Sequence, residues 1–194
     1  MDFLNFAVDL ETDAGVADFK SFLFSEFENF CQIHEIEKSK ITLQQFNFFL
    51  SEIGKQNFTN DYFYIYKNNN KIFNITKINN LYNIYISLCN INNMEISIYS
   101  FSCIANIYIN KFYNLLNSEN VNTDLIELFK KIKIDNEMSL DSQLSMPGRN
   151  PLAAITKLNH KHGWNETIKT TETQKTAYTL ENVEQLLGIP DNNI

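Results

Sequence analysis

The stretch ISIYSFSCIANIYINKFYNLL, residues 96–116, contains two short amphipathic helical patterns in succession. Ser97 suits the N-cap of the first helix, whose inward residues recur at three-and-four spacing: Ile98, Phe101, Ile104 and Ala105. Residues 107–109 connect it to a second helix over residues 111–116, for which Asn110 suits the cap. Two short helices across a three- to four-residue turn are typical of a helix-turn-helix unit.

The second short helix carries polar and aromatic side chains away from its apolar stripe. Lysine suits a phosphate, asparagine suits adenine, and tyrosine packs on sugar or donates to phosphate. The predicted DNA-binding residues are therefore Ser97, Tyr108, Asn110, Lys111, Tyr113 and Asn114. A pair of short helices in an α-helical protein can equally serve only as core, and the sequence leaves that alternative open.

The chain before this stretch is also predicted to be helical. Apolar residues at helical spacing predict a long amphipathic helix from Gly15 to about Glu37. Thr42 and Gln45 have the spacing of a capping box, so a second helix begins there, and Gly54 is predicted to end it. The first 60 residues are therefore predicted to form a pair of helices.

A loose internal repeat relates the two halves of this region. Two segments that begin 55 residues apart have the same order of residue types, which is apolar, hydroxyl, apolar and then Phe. These segments are ITLQQFNFFL from Ile41 and ISIYSFSCIA from Ile96. Each follows a predicted helix with a cysteine, Cys31 in the first and Cys89 in the second, which begins at about Ile78. A repeated supersecondary unit is one interpretation, and coincidence in a chain rich in Phe and Ile is the other.

Residues 56–80 are ambiguous between a hairpin and a helix. Their Tyr, Phe and Ile favour a hairpin that turns on Asn68–Asn70. A repeat would instead place a short helix from Asn60 to Tyr66, equivalent to the one after Asn110. The helix is slightly favoured on that ground.

The last third of the chain is predicted to begin with a helix at Thr123. Its inward residues are Leu125, Leu128, Phe129 and Ile132, and it can run on through Leu140 and Leu144. A compact helix comes next, with Asn150 as N-cap, Pro151 at its first position and Gly163 as a left-handed C-cap. A short final helix is predicted from Leu180 to Leu187.

The compact helix has an apolar face too small to form a core by itself. We predict that this face packs on a neighbouring copy, and that its oligomerisation residues are Leu152, Ile155, Leu158 and Trp164. Packing of the same residues on helices of their own chain is the alternative.

These patterns predict a mainly α protein: a helix-turn-helix domain, a long N-terminal amphipathic helix and a C-terminal helical assembly region. Residues 1–75 form an N-terminal helical region with a possible degenerate helix-turn-helix. Residues 76–120 form the central helix-turn-helix. Residues 121–194 form an oligomerisation or interaction region. With 194 residues, 44% of them hydrophobic, the chain can bury a sizeable core.

The net charge of −7 is unevenly distributed. Residues 1–60 hold ten acidic and four basic residues, whereas residues 61–120 hold three acidic and four basic ones. DNA-binding proteins usually have a basic surplus. Double-stranded DNA is therefore expected only at the middle third, bound weakly by each subunit or through many copies.

Enzyme signals are weak throughout. The chain has five glycines, none in a phosphate-binding pattern, and His160 and His162 are spaced so that they face different sides of a helix. We therefore predict no catalysis, cofactor or metal site. Three cysteines without a CxxC pair favour a reducing compartment. An acidic start and the lack of a long apolar run favour a cytoplasmic protein with no secretion signal and no membrane span.

The segment NPLAAITKLNHKHGW, residues 150–164, with the helix before it, resembles the C-terminal pattern of phage small terminase subunits. The matching residues are Glu137, Ser139, Leu140 and Leu144, then Asn150, Pro151, Ala153, Ala154, Ile155, Leu158, Gly163 and Trp164. The resemblance covers about residues 26–164, with its specific part in the last 30 of them. Ala153 departs from the glycine that the family often has.

This resemblance implies a non-enzymatic subunit that recognises the viral genome for packaging. Such subunits form rings and pass DNA to a large terminase subunit that holds the ATPase and nuclease. The implied partners are double-stranded DNA, further copies of the chain, and a large terminase subunit or another phage assembly protein. Two alternatives remain: a phage structural or interaction protein, and a helix-turn-helix regulator of transcription or replication.

Overall fold

The structure, a computed structural model, describes residues 8–67, 70–116, 123–144 and 151–163. Over these residues the fold is mainly α, as the sequence predicts, with one two-stranded antiparallel sheet. The elements are α1 (Asp13–Ile33), a 3-10 helix (Lys38–Lys40), α2 (Leu43–Asn57), β1 (Tyr64–Lys67), β2 (Asn70–Phe73), α3 (Ile75–Ile91), α4 (Ile98–Ala105), α5 (Ile109–Leu116), α6 (Thr123–Leu144) and α7 (Pro151–His162). None of the described helices is both long and apolar enough to cross a membrane.

The chain divides into two compact units, Met1–Ser139 and Leu140–Ile194, so the boundary falls inside α6. In the first unit one hydrophobic cluster extends from Leu10 to Ile132. This cluster contains residues from both sides of positions 75 and 120, which are the domain boundaries predicted from the sequence. The core of the first unit is therefore shared by α1, the hairpin and all of the helices up to the first part of α6.

Polar contacts also join α6 to the first unit. The Tyr82 hydroxyl of α3 donates to the Asp135 carboxylate at 2.8 Å. The backbone amide of Ile96 donates to the Ser139 hydroxyl at 3.2 Å, and the Asn136 side chain donates to the Ile96 carbonyl. Four apolar residues of α6 also lie in the core of the first unit. The hydrogen bonds and these core residues together make this part of α6 a structural helix of the first unit.

Helix α1 ends four residues before the predicted Glu37. It begins where the Thr12 hydroxyl accepts a hydrogen bond from the Gly15 amide at 3.2 Å. At the other end Glu35 takes a φ of +52°, and the Ile36 amide donates back to the Cys31 carbonyl at 2.8 Å. This left-handed closure satisfies the last carbonyls and terminates the helix.

The end of α3 repeats the end of α1. Asn93 takes a φ of +52°, and the Met94 amide donates to the Cys89 carbonyl at 2.9 Å. The next α-helix after each closure has a hydroxyl cap, Thr42 for α2 and Ser97 for α4, although the 3-10 helix comes between α1 and α2. The α1–α2 and α3–α4 pairs thus share a left-handed closure and a hydroxyl cap, but a different element comes after each pair.

After α2 the chain forms a β-hairpin, so the slight preference for a helix from Asn60 to Tyr66 is wrong. Tyr64 pairs with Phe73, and their rings stack with centroids 4.3 Å apart. Ile65 pairs with Ile72 on the opposite face. Phe73 is buried in the core against residues that are distant in the sequence. This burial favours a strand, in which alternate residues face the core, over the helix that the local sequence slightly favours.

Helix α2 passes through Gly54, the predicted stop, and continues to Asn57. A Cβ atom at Gly54 would lie 2.4 Å from the Cys103 carbonyl oxygen and 2.6 Å from that of Ile104. The glycine therefore lets the backbones of α2 and α4 approach closely, and these two helices form the most extensive helix pair among the described residues.

Helix α7 begins at Pro151, and Gly163 follows its end with a φ of +72°, as predicted. The predicted cap Asn150, the predicted packing residue Trp164 and the final helix over residues 180–187 lie outside the described residues.

We expect Gly54→Ala to lower the free energy of unfolding by about 1–3 kcal/mol, since the added methyl group overlaps the α4 carbonyls. Intrinsic helix propensity alone would predict the opposite change in stability, because it favours alanine over glycine by about 1 kcal/mol. Urea unfolding would measure the change, with Lys55→Ala at an exposed neighbouring position as the control, expected within about 0.5 kcal/mol of the parent. An equally stable or more stable Gly54→Ala protein would contradict the close crossing.

Candidate nucleic-acid interface

Helix α4 is positioned at its N-terminus by α3. The Tyr85 hydroxyl accepts a hydrogen bond from the Ser97 amide at 2.9 Å and donates to the Ser97 carbonyl oxygen at 3.3 Å. The Ser97 hydroxyl accepts from the Ser100 amide at 3.1 Å, which caps α4. Burial raises the pKa of Tyr85 well above its ordinary value, so its phenol keeps its proton. Ser97, predicted to contact DNA, is thus half-buried and its hydroxyl serves the helix cap.

The turn between α4 and α5 is made by Asn106, which has a φ of +51°. Asparagine tolerates the left-handed region better than most residues do. Its side-chain amide donates to the Phe58 carbonyl at 2.9 Å, which ties the turn to the residue that follows α2. No role for Asn106 is predicted from the sequence, although an Asn directly after the last apolar residue of a helix is a recognised signal for the end of that helix.

Helix α5 is anchored by Phe112, whose side chain is buried. Its ring centroid lies 5.4 Å from that of Phe129 in α6, 6.0 Å from that of Phe101 in α4, and 6.3 Å from that of Phe73 in β2. One side chain therefore holds α5 against α4, α6 and the hairpin at once.

Helix α5 begins at Ile109, so Asn110 lies in its first turn and is not its cap as predicted. The reason is the backbone hydrogen bond from the Lys111 amide to the Tyr108 carbonyl, 2.8 Å long, which closes a turn that begins at Tyr108 and includes Asn110.

The face opposite Phe112 is exposed. Tyr108, in the turn, is 79% exposed and precedes the helix directly. The exposed residues at and after the turn are Tyr108, Asn110, Lys111, Tyr113 and Asn114. Five of the six predicted DNA-binding residues thus share one accessible surface, and Ser97 is the exception.

The charge close to this surface differs from that of the whole chain. Residues 96–116 contain Lys111 and no acidic residue. Glu95, the acid directly before them, is buried, and its carboxylate accepts a hydrogen bond from Asn136 at 3.4 Å. The exposed face of α5 therefore carries a positive charge although the chain as a whole is acidic.

The described residues contain neither a cluster of metal-ligating side chains nor a cysteine with a lowered pKa. Among them no group of three or more His, Cys, Asp or Glu is placed to hold a metal ion. Burial raises the pKa of the Cys89 thiol to about 12, and burial also raises the pKa of Cys31 and Cys103. Thiols in this state are protonated and pack as small hydrophobic groups.

The predicted oligomerisation residues of α7 fall on different sides of the helix. Leu152 is 67% exposed and Ile155 is also exposed. Leu158 is fully buried within its own chain, as is nearly all of Ala154 one turn before it, which favours the alternative that Leu158 packs on residues of its own chain. Helical spacing places residues 154 and 158 on one side, which leaves Leu152 and Ile155 accessible.

The surface built by α5 and its turn can bind through hydrogen bonds, aromatic contacts and one cation. Comparison of the chain with protein-family models, curated proteins and solved structures gave no match. The geometry of α5 and the resemblance carried by residues 150–164 are therefore the grounds for assigning a function.

We expect Asn106→Ala to destabilise the protein more than Asn106→Gly. Alanine at a positive φ costs about 1–2 kcal/mol and also loses the hydrogen bond to Phe58. Glycine adopts the same φ without strain and loses only the bond, worth about 0.5–1.5 kcal/mol. Urea unfolding of the two variants would test the order, and equal stabilities would show that the left-handed turn is not required.

Proposed function

We propose that this protein is a non-catalytic DNA-recognition subunit of the phage small terminase kind, and that it reads double-stranded DNA with α5. The observation that carries this proposal is the exposed polar and aromatic face of α5, opposite the buried ring of Phe112. A helix fixed by its inner side and polar on its outer side has the form of a recognition helix.

The dimensions of the α4–α5 pair support this proposal. The two helices are joined by three residues, 106–108, as in a helix-turn-helix unit. The eight residues of α5 give a helix about 12 Å long. An α-helix with its side chains is about 10–12 Å in diameter, so α5 fits the major groove of B-DNA, which is about 12 Å wide.

Each exposed side chain of α5 has a suitable partner on a DNA duplex. The amides of Asn110 and Asn114 can each donate and accept, which matches the N6 and N7 edge of adenine. Lys111 suits a phosphate, and the hydroxyls of Tyr108 and Tyr113 can donate to phosphate oxygens. Because Lys111 is the single basic residue in residues 96–116, we expect weak binding by a single subunit.

Weak contacts become effective when several copies bind one DNA molecule, since the later contacts are intramolecular. We therefore propose that the chain forms a homo-oligomer through the exposed Leu152 and Ile155 of α7. The second partner under this proposal is a large terminase subunit or another phage assembly protein, which supplies the chemistry.

The double variant Lys111→Glu with Asn114→Ala should bind a mixed-sequence phage-genome fragment at least about 10-fold more weakly than the parent, as for loss of a base contact and a phosphate contact. A gel-shift titration at low salt measures the affinity. The matched control is Lys20→Glu with Asn29→Ala on α1, which makes the same chemical changes at exposed positions of another helix. Unchanged binding by the α5 variant would remove α5 as the reading helix.

Light scattering should show a ring of many copies for the parent and a smaller mass for Leu152→Glu, because a buried unpaired charge is strongly unfavourable at an apolar interface. Ala153→Glu adds the same charge about 100° around the helix and should keep the assembly. A dimeric parent would favour the transcription or replication regulator, and a monomeric parent would favour the interaction protein.

A further inference from the structure

We propose that α7 of one copy packs on a surface of α2 and α4 of the next copy, and that this contact builds the ring. This inference rests on the proposed function, which places the exposed Leu152 and Ile155 of α7 in the oligomer interface, and it names the surface that receives them. That acceptor surface consists of Leu43 and Phe48 of α2, Tyr99 of α4, and two hollows beside Phe48.

A ring of more than two copies needs two different surfaces on each chain. In such a heterologous interface a patch on one copy meets another patch on its neighbour, whereas a patch that binds its own equivalent stops at a dimer. Leu152 and Ile155 form one patch, because residues three apart lie on the same side of a helix. The second patch has to be apolar, exposed and shaped to receive a helix.

The outer side of α2 has these properties. Phe48 is 53% exposed although the inner side of its helix is fully buried, and Tyr99 on the adjoining α4 is 55% exposed. Leu43, at the start of α2, is exposed as well. All three line the same hollow, so they form one contiguous apolar surface. Contiguous apolar surfaces on soluble proteins commonly bind other proteins, whereas scattered exposed residues do not.

Phe48 separates two hollows. The larger hollow, of about 530 Å³, lies between α2 and α4, with Cys103 in its wall. The smaller hollow, of about 320 Å³, lies between α2 and the C-terminal end of α1, with Ile36 in its wall. The Phe48 ring is backed by the ring of Phe30, with centroids 6.4 Å apart. Phe48 is therefore a ridge with a hollow on each side.

The outward side of α7 matches this shape. The Cβ atoms of residues three apart on a helix are about 5–6 Å from each other. Leu152 and Ile155 can therefore enter one hollow each, with the Phe48 ring between them. An aromatic side chain enclosed in this way lies at the centre of the contact, where interface residues contribute most to binding.

The two surfaces also match in charge. None of the described residues that line either hollow is Asp, Glu, Lys or Arg. On the side of α7 that carries Leu152 and Ile155, helical spacing places Thr156 and Asn159, which are uncharged. The net charge of −7 opposes contact between acidic faces of two copies, and an unpaired charge is costly to bury. These two surfaces can meet without burying a charge.

Light scattering on full-length chains tests the contact. Phe48→Glu should lower the assembly mass as Leu152→Glu does, because either substitution places a charge in the interface. The matched control is Tyr66→Glu, which adds the same charge at an exposed aromatic residue outside the acceptor surface and should keep the mass of the parent. Circular dichroism checks that each variant remains folded.

An equimolar mixture of Phe48→Glu and Leu152→Glu is the decisive sample. The first variant keeps an intact α7 patch, and the second keeps an intact acceptor surface. The two should therefore form a 1:1 dimer, which cannot grow because both of its outer surfaces carry a substitution.

Crosslinking at Cys103 gives a second measurement that leaves Phe48 in place. Cys103 lines the larger hollow, whereas Cys31 and Cys89 are buried. In Ile155→Cys a short bismaleimide should join the introduced thiol to Cys103 of the neighbouring copy, which gives a ladder of joined chains on a denaturing gel. Adding Cys103→Ser should abolish the ladder. If Phe48→Glu does not fold, the presence or absence of this ladder decides.

The outcomes separate this inference from the proposed function. If Leu152→Glu lowers the mass while Phe48→Glu behaves as Tyr66→Glu does, α7 still assembles the protein and the acceptor surface is overturned. It is also overturned if both variants lower the mass but their mixture gives no 1:1 dimer, or if crosslinks form only within one chain. A monomeric parent, or a parent whose mass Leu152→Glu leaves unchanged, removes the proposed assembly and this inference with it.

Discussion

The buried ring of Phe112 determines where the exposed face of α5 lies. Its three ring contacts join α5 to α4, α6 and β2, and each such pair adds about 0.5–1.5 kcal/mol beyond the burial of area. Because one residue makes all of these contacts, the outward residues of α5 hold a fixed position relative to both the turn and the hairpin. The proposed recognition surface therefore depends on a core interaction.

The hairpin and α5 come after corresponding helix pairs. The α1–α2 and α3–α4 pairs end their first helices with the same left-handed closure and begin their second helices with a hydroxyl cap. The hairpin comes after the first pair and α5 comes after the second. Asn106 is the C-cap of α4, and Phe58 is the C-cap of α2. The hydrogen bond from Asn106 to Phe58 therefore connects the ends of the two helix pairs.

The acidic character of the chain is compatible with a local attraction to DNA. Ten of its 23 acids lie in the first 60 residues, whereas residues 96–116 contain none, and the adjoining Glu95 is buried. Exposed charges more than about 8 Å apart are largely screened at physiological salt. Acids that lie farther than this from α5 therefore leave the positive field of Lys111 largely unchanged.

The sequence by itself determined the helices and most of their starts, because amphipathic periodicity and caps such as Thr42, Ser97 and Pro151 act within one turn of chain. It also identified the outward residues of α5, since their spacing excludes them from the apolar stripe. Only the tertiary structure decided that Gly54 serves a helix crossing, that residues 64–73 form a hairpin, and that Leu158 is buried. Each of these depends on atoms far away in the sequence, whose approach no local pattern records.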